Sequence, residues 1–256
     1  MEGEILITKE ELKEYAKKKN YNLGQAEKDY IQEIILFILY KEHGRNIVFK
    51  GGTALTKCYG LDRFSEDLDF TAEKKENFSK TINKGLHDFY IEYEFEEKER
   101  DQSIDLNYKI QGPLYNGHRN SLCKIMLDIS LREKLLLKTE IKKIGFNIEE
   151  IPLFEVIVMS EREILAEKIR ALMTRNKARD LYDAYNLLLK KANPSINEIT
   201  QKLKLVSKEF DKKELIKAIE QKELIWESEL KPLVKSYPKF EETKKVLEEW
   251  INTNLK

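Results

Sequence analysis

The chain has 256 residues, of which 41% are hydrophobic and 36% are charged, and its 46 basic residues balance its 46 acidic ones. This length and apolar content predict a folded protein of one large or two modest domains, and they exclude the disordered and low-complexity classes. The formal net charge of zero provides no overall basic field that would attract nucleic acid, so only local basic patches remain possible.

The cysteine content and the apolar runs bear on the cell compartment. Cys58 and Cys123 are the only cysteines, which gives no disulfide framework, and the first residues show no secretory pattern. The longest apolar run, at 34–40, is far shorter than the roughly 20 residues that span a bilayer. We therefore expect a cytoplasmic protein without membrane contact.

Glycine is distributed unevenly along the chain. All ten glycines lie at or before Gly145, and residues 146–256 contain none. Turn-rich mixed structure needs glycine at positive φ, whereas an array of helices can form without it. This asymmetry predicts two domains, a mixed domain over 1–155 with N-terminal helices and a helical domain over 156–256.

Two helices are predicted before any strand. Thr8 and Glu11 have the spacing of a capping box that opens a short helix, and residues 25–43 carry apolar residues at helical spacing. The apolar run at 46–49 predicts the first strand, which a Gly-Gly turn and one or two turns of helix follow.

Alternating and apolar patterns predict the remaining elements. Further strands are expected at 68–71, 92–96, 104–110, 122–129 and 154–159, with a helix over about 75–89. Helices are expected at 161–174, 178–191, 196–206, 211–222 and 240–254, and Ser160 and Ser195 have the spacing of capping boxes with Glu163 and Glu198. The fold class is therefore α+β, with a small mixed sheet flanked by helices and followed by a C-terminal helical bundle.

The segment FKGGTALTKCYGLDRFSEDLDF is the most informative part of the sequence. Asp67 and Asp69 are two apart on a predicted strand, so their side chains share a face and can hold divalent cations with hard oxygen ligands. Gly51 and Gly52 remove Cβ atoms where a backbone must approach a triphosphate. The N–H groups of the following helix can bind anionic oxygens, and Thr53 adds a hydroxyl donor.

A Gly-Gly-Thr helix start followed by an Asp-x-Asp strand resembles the first motif of the DNA polymerase β-like nucleotidyltransferases. Within that group, residues 49–70 are similar to the AbiEii/AbiGii nucleotidyltransferase toxin family. The phrases EKIRAL at 167–172 and RDLYD at 179–183 add a second similarity in the family's order. The resemblance implies a polymerase β-like fold and the toxin of a type IV, abortive-infection toxin–antitoxin pair.

The resemblance also implies roles for residues of both motifs. It places the family's essential lysine at Lys168, which would neutralise charge on the leaving pyrophosphate. It places an acidic residue at Asp180, which would be catalytic or would orient the lysine. Lys168 and Arg175 are seven apart on one predicted helix face, where both could meet phosphates. Ser65, within the first motif, is assigned to nucleotide binding.

Asp128 lies near the end of a predicted strand and is a candidate for a third metal-binding carboxylate. It would help to deprotonate the acceptor, although a strand-end Asp is also common as a turn cap. The apolar neighbours in KIMLDIS favour a functional role, because an unpaired buried carboxylate would be costly. Both interpretations are kept at this point.

These observations predict an enzyme that moves NMP from an NTP to an acceptor hydroxyl, with Mg²⁺ or Mn²⁺ held by Asp67, Asp69 and Asp128. The helical domain is expected to close the active-site cleft. The resemblance implies tRNA 3′ ends, or other RNA, as the acceptor and a separately encoded antitoxin as a partner. Two alternatives are an enzyme that transfers AMP to proteins and a catalytically silent binding protein of the same fold.

Overall fold

A computed structural model of the chain describes residues 6–145 and 151–255. The backbone divides into two compact units. Unit 1 comprises residues 1–58, 66–134 and 140–158, and unit 2 comprises residues 59–65, 135–139 and 159–256. Two short segments of the first 155 residues therefore belong to the unit that contains the C-terminal helices.

Unit 1 is built on a mixed sheet. Within the described residues its strands are β1 (Ile47–Lys50), β2 (Leu68–Ala72), β3 (Tyr93–Arg100), β4 (Ser103–Ile110), β5 (Cys123–Ser130), β6 (Glu140–Ile144) and β7 (Phe154–Val158). They lie in the order β3-β4-β5-β2-β1-β7-β6. The pairs β2–β5 and β1–β7 are parallel, and the other neighbouring pairs are antiparallel.

The helices of this first half are α1 (Lys9–Lys19), α2 (Leu23–His43), α3 (Gly51–Tyr59) and α4 (Phe78–Asp88). The capping box at Thr8 is confirmed, because its hydroxyl accepts the Glu11 N–H while the Glu11 carboxylate binds the Thr8 N–H. The predicted α+β class is confirmed as well. The strand β6 was not predicted, because its sequence EIKKI has neither an apolar run nor a clear alternation.

The sheet has one face covered by helices and one polar face. Alternate residues of β5 from Cys123 to Ile129 are buried, whereas Lys124, Met126 and Asp128 between them are exposed. Helix α2 packs against β5 and β7. Residues in register on neighbouring strands share a face, so the partners of Asp128 and Lys124 lie with them on the side away from the buried residues. We call this side the polar face.

Unit 2 contains the C-terminal helices. In its described part they are α5 (Glu161–Thr174), α6 (Ala178–Leu189), α7 (Ile196–Lys204), α8 (Lys212–Glu220), α9 (Trp226–Leu230) and α10 (Phe240–Asn254). Helix α5 is central, because α6, α7 and α8 all pack against it. The helix α9 was not predicted, since five residues are too few for a helical period to be read. No helix in the described ranges has the length and apolar content needed to cross a membrane.

One predicted cap is wrong in part. Ser160 caps α5 by accepting the N–H of Glu163, but the Glu163 carboxylate does not return to Ser160. It accepts the backbone N–H groups of Leu136 and Leu137 and pairs with buried Lys202 at 2.7 Å. Burial with these partners therefore replaces the second half of the box, whereas the box at Ser195 is complete.

Helices α2 and α4 approach each other closely at Gly85. A Cβ built on Gly85 would lie 2.4 Å from Cγ2 of Ile38, a side chain that is itself buried. Atoms at that separation repel strongly, so one of the two helices would have to move. The absence of a side chain at this position sets the distance between the two helices.

We predict that Gly85→Ala lowers the free energy of unfolding by about 1–2 kcal/mol, because overpacking costs of about 1–3 kcal/mol exceed the helix propensity gained. Urea unfolding measures the change. The control is Gly24→Ala in the first turn of α2, where a Cβ meets only Asn22 Oδ1 at 3.5 Å and should not destabilise. A Gly85→Ala protein as stable as the wild type would show that the helices are not closely packed.

Candidate active site

Asp67 and Asp69 lie at the start of β2. Asp67 directly precedes the strand and Asp69 is its second residue, while the intervening Leu68 is fully buried. Both aspartates are partly exposed. Since side chains alternate along an extended segment, both carboxylates lie on the polar face.

Asp128 lies beside Asp69 on that face. The two residues are register partners across the parallel strands β2 and β5. Although Asp128 is exposed, the surrounding protein partly desolvates its carboxylate and raises its pKa, and the negative charge of Asp69 raises the pKa further. Two neighbouring carboxylates whose charges repel each other favour a cation beside them. The structure thus places Asp128 beside Asp69, and Asp67 lies two residues before Asp69; that the three hold a metal stays a prediction.

Lys50 flanks the carboxylates on the other side. It is the register partner of Asp69 across β1 and β2, and its ammonium forms a buried ion pair with Glu133. Its positive charge lowers the pKa of Asp128 and so opposes the effect of Asp69. Sequence reasoning missed both Lys50 and Glu133. No local sequence pattern marks Lys50, because the antiparallel register of β1 and β2 places it next to Asp69.

Gly51 connects β1 to α3 and has no tolerance for a side chain. Its φ of +75° lies in the left-handed region, and a Cβ there would be 2.2 Å from Oδ2 of Asp69. Glycine is required at this position because the carboxylate of Asp69 lies against the backbone. The sequence also assigns Gly51 and Gly52 to the approach of a phosphate, and that assignment stays a prediction.

Thr53 ties the start of α3 to β2. Its side chain is buried, and its hydroxyl donates a hydrogen bond of 2.5 Å to the carbonyl oxygen of Asp67. The hydroxyl expected to serve a ligand is therefore engaged within the chain, and the backbone N–H is the group left for a phosphate. This hydrogen bond fixes the helix start relative to the segment that carries Asp67 and Asp69.

The other end of α3 is fixed by a buried charge. The Lys57 ammonium lies 2.6 Å from Asp29 Oδ1 and 3.2 Å from Glu33 Oε1, both on α2. Burial lowers the pKa of Lys57, but Asp29 and Glu33 outweigh it, so the net pKa is raised and the lysine is charged. Tyr15 of α1 donates a further hydrogen bond to Asp29. Helix α3 is thus held at both ends, and its N-terminus cannot shift easily.

The donor set fits a hard divalent cation. No three His, Cys, Asp or Glu side chains in the described ranges already lie close enough together to hold a metal by themselves. Mg²⁺ does not require such a cluster, because it takes one or two carboxylates and completes its octahedral shell with water and substrate phosphates. Two aspartates next to a helix N-terminus therefore suit Mg²⁺ that arrives with a triphosphate better than a metal held by protein ligands alone.

Lys168 belongs to a cluster of charges in unit 2. Its ammonium lies 2.9 Å from Asp180 Oδ1 and 2.7 Å from Asp183 Oδ2. Arg63 donates two hydrogen bonds to Asp183, at 2.6 and 2.8 Å, and Arg175 donates two to Asp180, at 2.7 and 2.9 Å. We call these five residues the charge cluster. Its two carboxylates are fully buried, whereas Arg175 is half-exposed.

The cluster is held in its charged form. Burial alone would raise the pKa of Asp183, but Arg63 and Lys168 outweigh it and hold the pKa below its ordinary value. Burial likewise opposes ionisation of Lys168, yet Asp180 and Asp183 raise its pKa. The sequence singled out Lys168, Asp180 and Arg175, and the structure brings them into contact.

Two members of the charge cluster had no role in the sequence prediction. Asp183 could have been found from its spacing, since it lies three residues after Asp180 and therefore on the same helix face. Arg63 gave no local signal, because its partner is 120 residues away in the chain. Ser65 lies in the same segment of unit 2 and is partly buried, and its assignment to nucleotide binding stays a prediction.

We predict that Gly51→Ala displaces Asp69 and weakens Mn²⁺ binding by about tenfold or more, because the new Cβ overlaps the carboxylate. Calorimetric titration with Mn²⁺ measures the effect. The control is Gly117→Ala, which shares a positive φ of +87° but has no atom within 4 Å of the new Cβ. Equal Mn²⁺ affinity in the two variants would contradict a specific role for the contact at Gly51.

We predict that Asp183→Asn lowers the free energy of unfolding by about 3–5 kcal/mol near pH 7, because Arg63 and Lys168 lose their buried partner. The pKa of Asp183 is held low, so its stabilisation is complete above about pH 4 and is lost as the pH falls through the lowered pKa. The difference in the free energy of unfolding between the wild type and Asp183→Asn should therefore become smaller at acid pH.

Urea unfolding at several pH values measures this difference. The control is Asp101→Asn in the exposed β3–β4 turn, which should change stability little at any pH. A constant difference between wild type and Asp183→Asn across the acid range would show that ionisation of Asp183 does not stabilise the fold.

Known proteins resemble this chain in sequence and in fold. The family model for the nucleotidyl transferase AbiEii toxin of type IV toxin–antitoxin systems matches residues 35–250. A search of curated proteins gives no match. Solved structures with a similar fold include MenT4, a nucleotidyltransferase toxin from Mycobacterium tuberculosis H37Rv, at 21% identity and a TM-score of 0.56. That alignment covers 78% of this chain and 70% of MenT4.

Two structures from Helicobacter pylori are also similar. One is a proposed nucleotidyltransferase, at 21% identity and a TM-score of 0.56 over 88% of this chain and 93% of that one. The other is JHP933, at 21% identity and a TM-score of 0.52 over 87% of this chain and 89% of that one. These structures establish the likeness of fold, and the family match extends over most of the chain. The chain therefore belongs to the AbiEii family of nucleotidyltransferase toxins of type IV toxin–antitoxin systems.

Proposed function

We propose that this nucleotidyltransferase transfers NMP from an NTP to the 3′ end of tRNA or another RNA, in a reaction that requires Mg²⁺ or Mn²⁺. The observation that supports the proposal most strongly is the position of Asp67 and Asp69 on the polar face, with Asp128 in register beside Asp69 and Gly51 against it. We further propose that the toxin is controlled by a separately encoded antitoxin, as its family implies.

Asp67 and Asp69 would hold the cation, which when bound supplies positive charge to the triphosphate. The N–H groups of Gly52 and Thr53 would bind phosphate oxygens, because the first N–H groups of a helix have no partner within it. Helix α3 is anchored by Thr53 at one end and by Lys57 at the other, so these N–H groups are preorganised. Preorganised donors cost little reorganisation when charge develops during transfer.

The proposed transfer is a displacement at the α-phosphorus of the NTP. The acceptor hydroxyl oxygen forms a new bond to the α-phosphorus, the bond to the α–β bridging oxygen breaks, and pyrophosphate leaves with that electron pair. The hydroxyl proton passes to Asp128. A carboxylate whose pKa is raised by partial desolvation and by Asp69 is a stronger base than an ordinary aspartate, which suits this role.

We propose a second contribution from the charge cluster. Lys168 would neutralise charge on the triphosphate, and Asp180, at 2.9 Å from its ammonium, would orient it. Arg175 is half-exposed and so could meet a phosphate while it remains bound to Asp180. Ser65 completes the residues that we assign to nucleotide binding.

A labelling experiment tests the reaction and the acceptor together. The protein is incubated with each of the four α-labelled NTPs, Mg²⁺ and either purified tRNA, other RNA or cell protein. We expect label in tRNA or other RNA that depends on Mg²⁺ and on the identity of the NTP. Label in protein alone would favour the AMP-transferring alternative, and label in none of the acceptors would contradict the proposal.

We predict that Asp67→Asn and Asp69→Asn each lower the transfer rate by about 100-fold or more, because each removes charge that is needed as the transition state forms. The labelling assay measures the rate, and circular dichroism confirms that the variants fold. The control is Glu66→Gln, which changes the exposed carboxylate directly before Asp67. Transfer at the wild-type rate in either aspartate variant would rule out the metal assignment.

A further inference from the structure

Two lysines lie directly opposite each other on the polar face. Lys109 of β4 and Lys124 of β5 are register partners, and they alternate with the buried residues Tyr108 and Ile125. Within the described residues neither ammonium forms an ion pair. Like charges at directly opposite positions destabilise a sheet. The fold itself therefore gains nothing from this pair.

The lysines continue a strip that leads to the proposed catalytic carboxylate. The next register pair of β4 and β5 on the polar face is Asn107 with Met126, and the one after it on that face is Asp105 with Asp128. Met126 is 54% exposed, although it is a large apolar side chain on a strand. Asp128 is four residue steps after Lys124, which at a rise of about 3.3 Å per residue is a distance of about 13 Å along β5. We call Asn107, Lys109, Lys124 and Met126 the acceptor strip.

Sheet topology places this strip on the side from which an acceptor must arrive. Helix α3 opens directly after β1, whereas Asp128 is on β5, and β2 lies between the two strands. In nucleotidyl transfer the attacking and leaving oxygens lie roughly in line through the phosphorus. If the leaving pyrophosphate lies at α3, as the proposed function has it, the attacking hydroxyl approaches over β5 and β4.

We propose that the acceptor strip binds the single-stranded end of the nucleic acid whose 3′ hydroxyl attacks. Lys109 and Lys124 would contact successive backbone phosphates, and the anionic backbone would relieve the repulsion between them. Met126 would pack against a terminal base, and Asn107 would supply hydrogen bonds. The inference rests on the proposed function, because it identifies the substrate class of that same site.

Glu96 of β3, the register partner of Asn107, adds one negative charge beside the two lysines of the strip, and the other two acidic neighbours are paired. Glu94 of β3 is the register partner of Lys109, but Arg119 binds its carboxylate at 2.7 Å. Asp105 is bound by Arg100 at 2.8 Å. The two lysines therefore outweigh Glu96, and the net charge of the strip with these neighbours stays positive, which suits a phosphate backbone better than an acidic or neutral peptide.

Binding of a short single-stranded RNA without NTP tests the proposal. Fluorescence anisotropy would compare the wild type with the double variant Lys109→Glu, Lys124→Glu over a range of salt concentrations. We expect binding to weaken by about tenfold or more, and the slope of log affinity against log salt to become shallower by about 1.4, or 0.7 for each lost phosphate. The control is Lys80→Glu with Lys84→Glu on α4, where the same charge change lies on exposed helix positions.

A single neutral variant keeps the test independent of folding. Lys124→Gln should weaken RNA binding and at the same time raise the urea midpoint, because it removes the repulsion with Lys109. Binding of an NTP analogue with Mg²⁺ should be unchanged, so failure of the strip is distinguishable from failure of the nucleotide site. Unchanged RNA affinity in both strip variants would overturn the proposal. Strip-dependent binding of cell protein with no RNA binding would overturn it as well.

Discussion

The contact between the Asp69 carboxylate and the backbone of Gly51 links the two halves of the candidate active site. It places a β2 carboxylate directly against the start of α3, at a position where any side chain would overlap it. The hydrogen bond from Thr53 to the Asp67 carbonyl and the buried charge of Lys57 fix the same helix at both ends. A metal held by the aspartates would consequently meet phosphates held by the helix without a change in the fold.

The two units carry charge in different ways. On the polar face of unit 1, the two negative charges of Asp69 and Asp128 are neighbours. Further along β4 and β5 on the same face, the two positive charges of Lys109 and Lys124 are neighbours. In the charge cluster of unit 2, each carboxylate is bound by two cations and is held ionised. Like-charge neighbours favour a ligand of opposite charge, whereas a buried cluster of paired charges favours one fixed arrangement of its own side chains.

Sequence reasoning predicted the elements whose signals are local. The strands and helices around Asp67 and Asp69 follow from apolar runs, glycine and i, i+2 alternation, and the structure confirms them. Sequence reasoning could not predict β6, because that strand depends on pairing with β7. It also could not predict the partners of Glu163, which come from a distant segment of the chain. Lys50 and Arg63 were missed for the same reason, because strand register and a contact 120 residues away decide their surroundings. Thr53 was recognised as important, but its hydroxyl serves the chain.

The central claim is that Asp67 and Asp69 hold a divalent cation together with a nucleotide bound at the start of α3. Electron paramagnetic resonance of Mn²⁺, titrated with the protein in the presence and absence of a non-hydrolysable NTP analogue, tests this claim most directly. The account predicts that the analogue strengthens Mn²⁺ binding in the wild type and has no such effect when Asp69 is replaced by Asn. Equal Mn²⁺ binding with and without the analogue in the wild type, or the same strengthening in the variant, would contradict it.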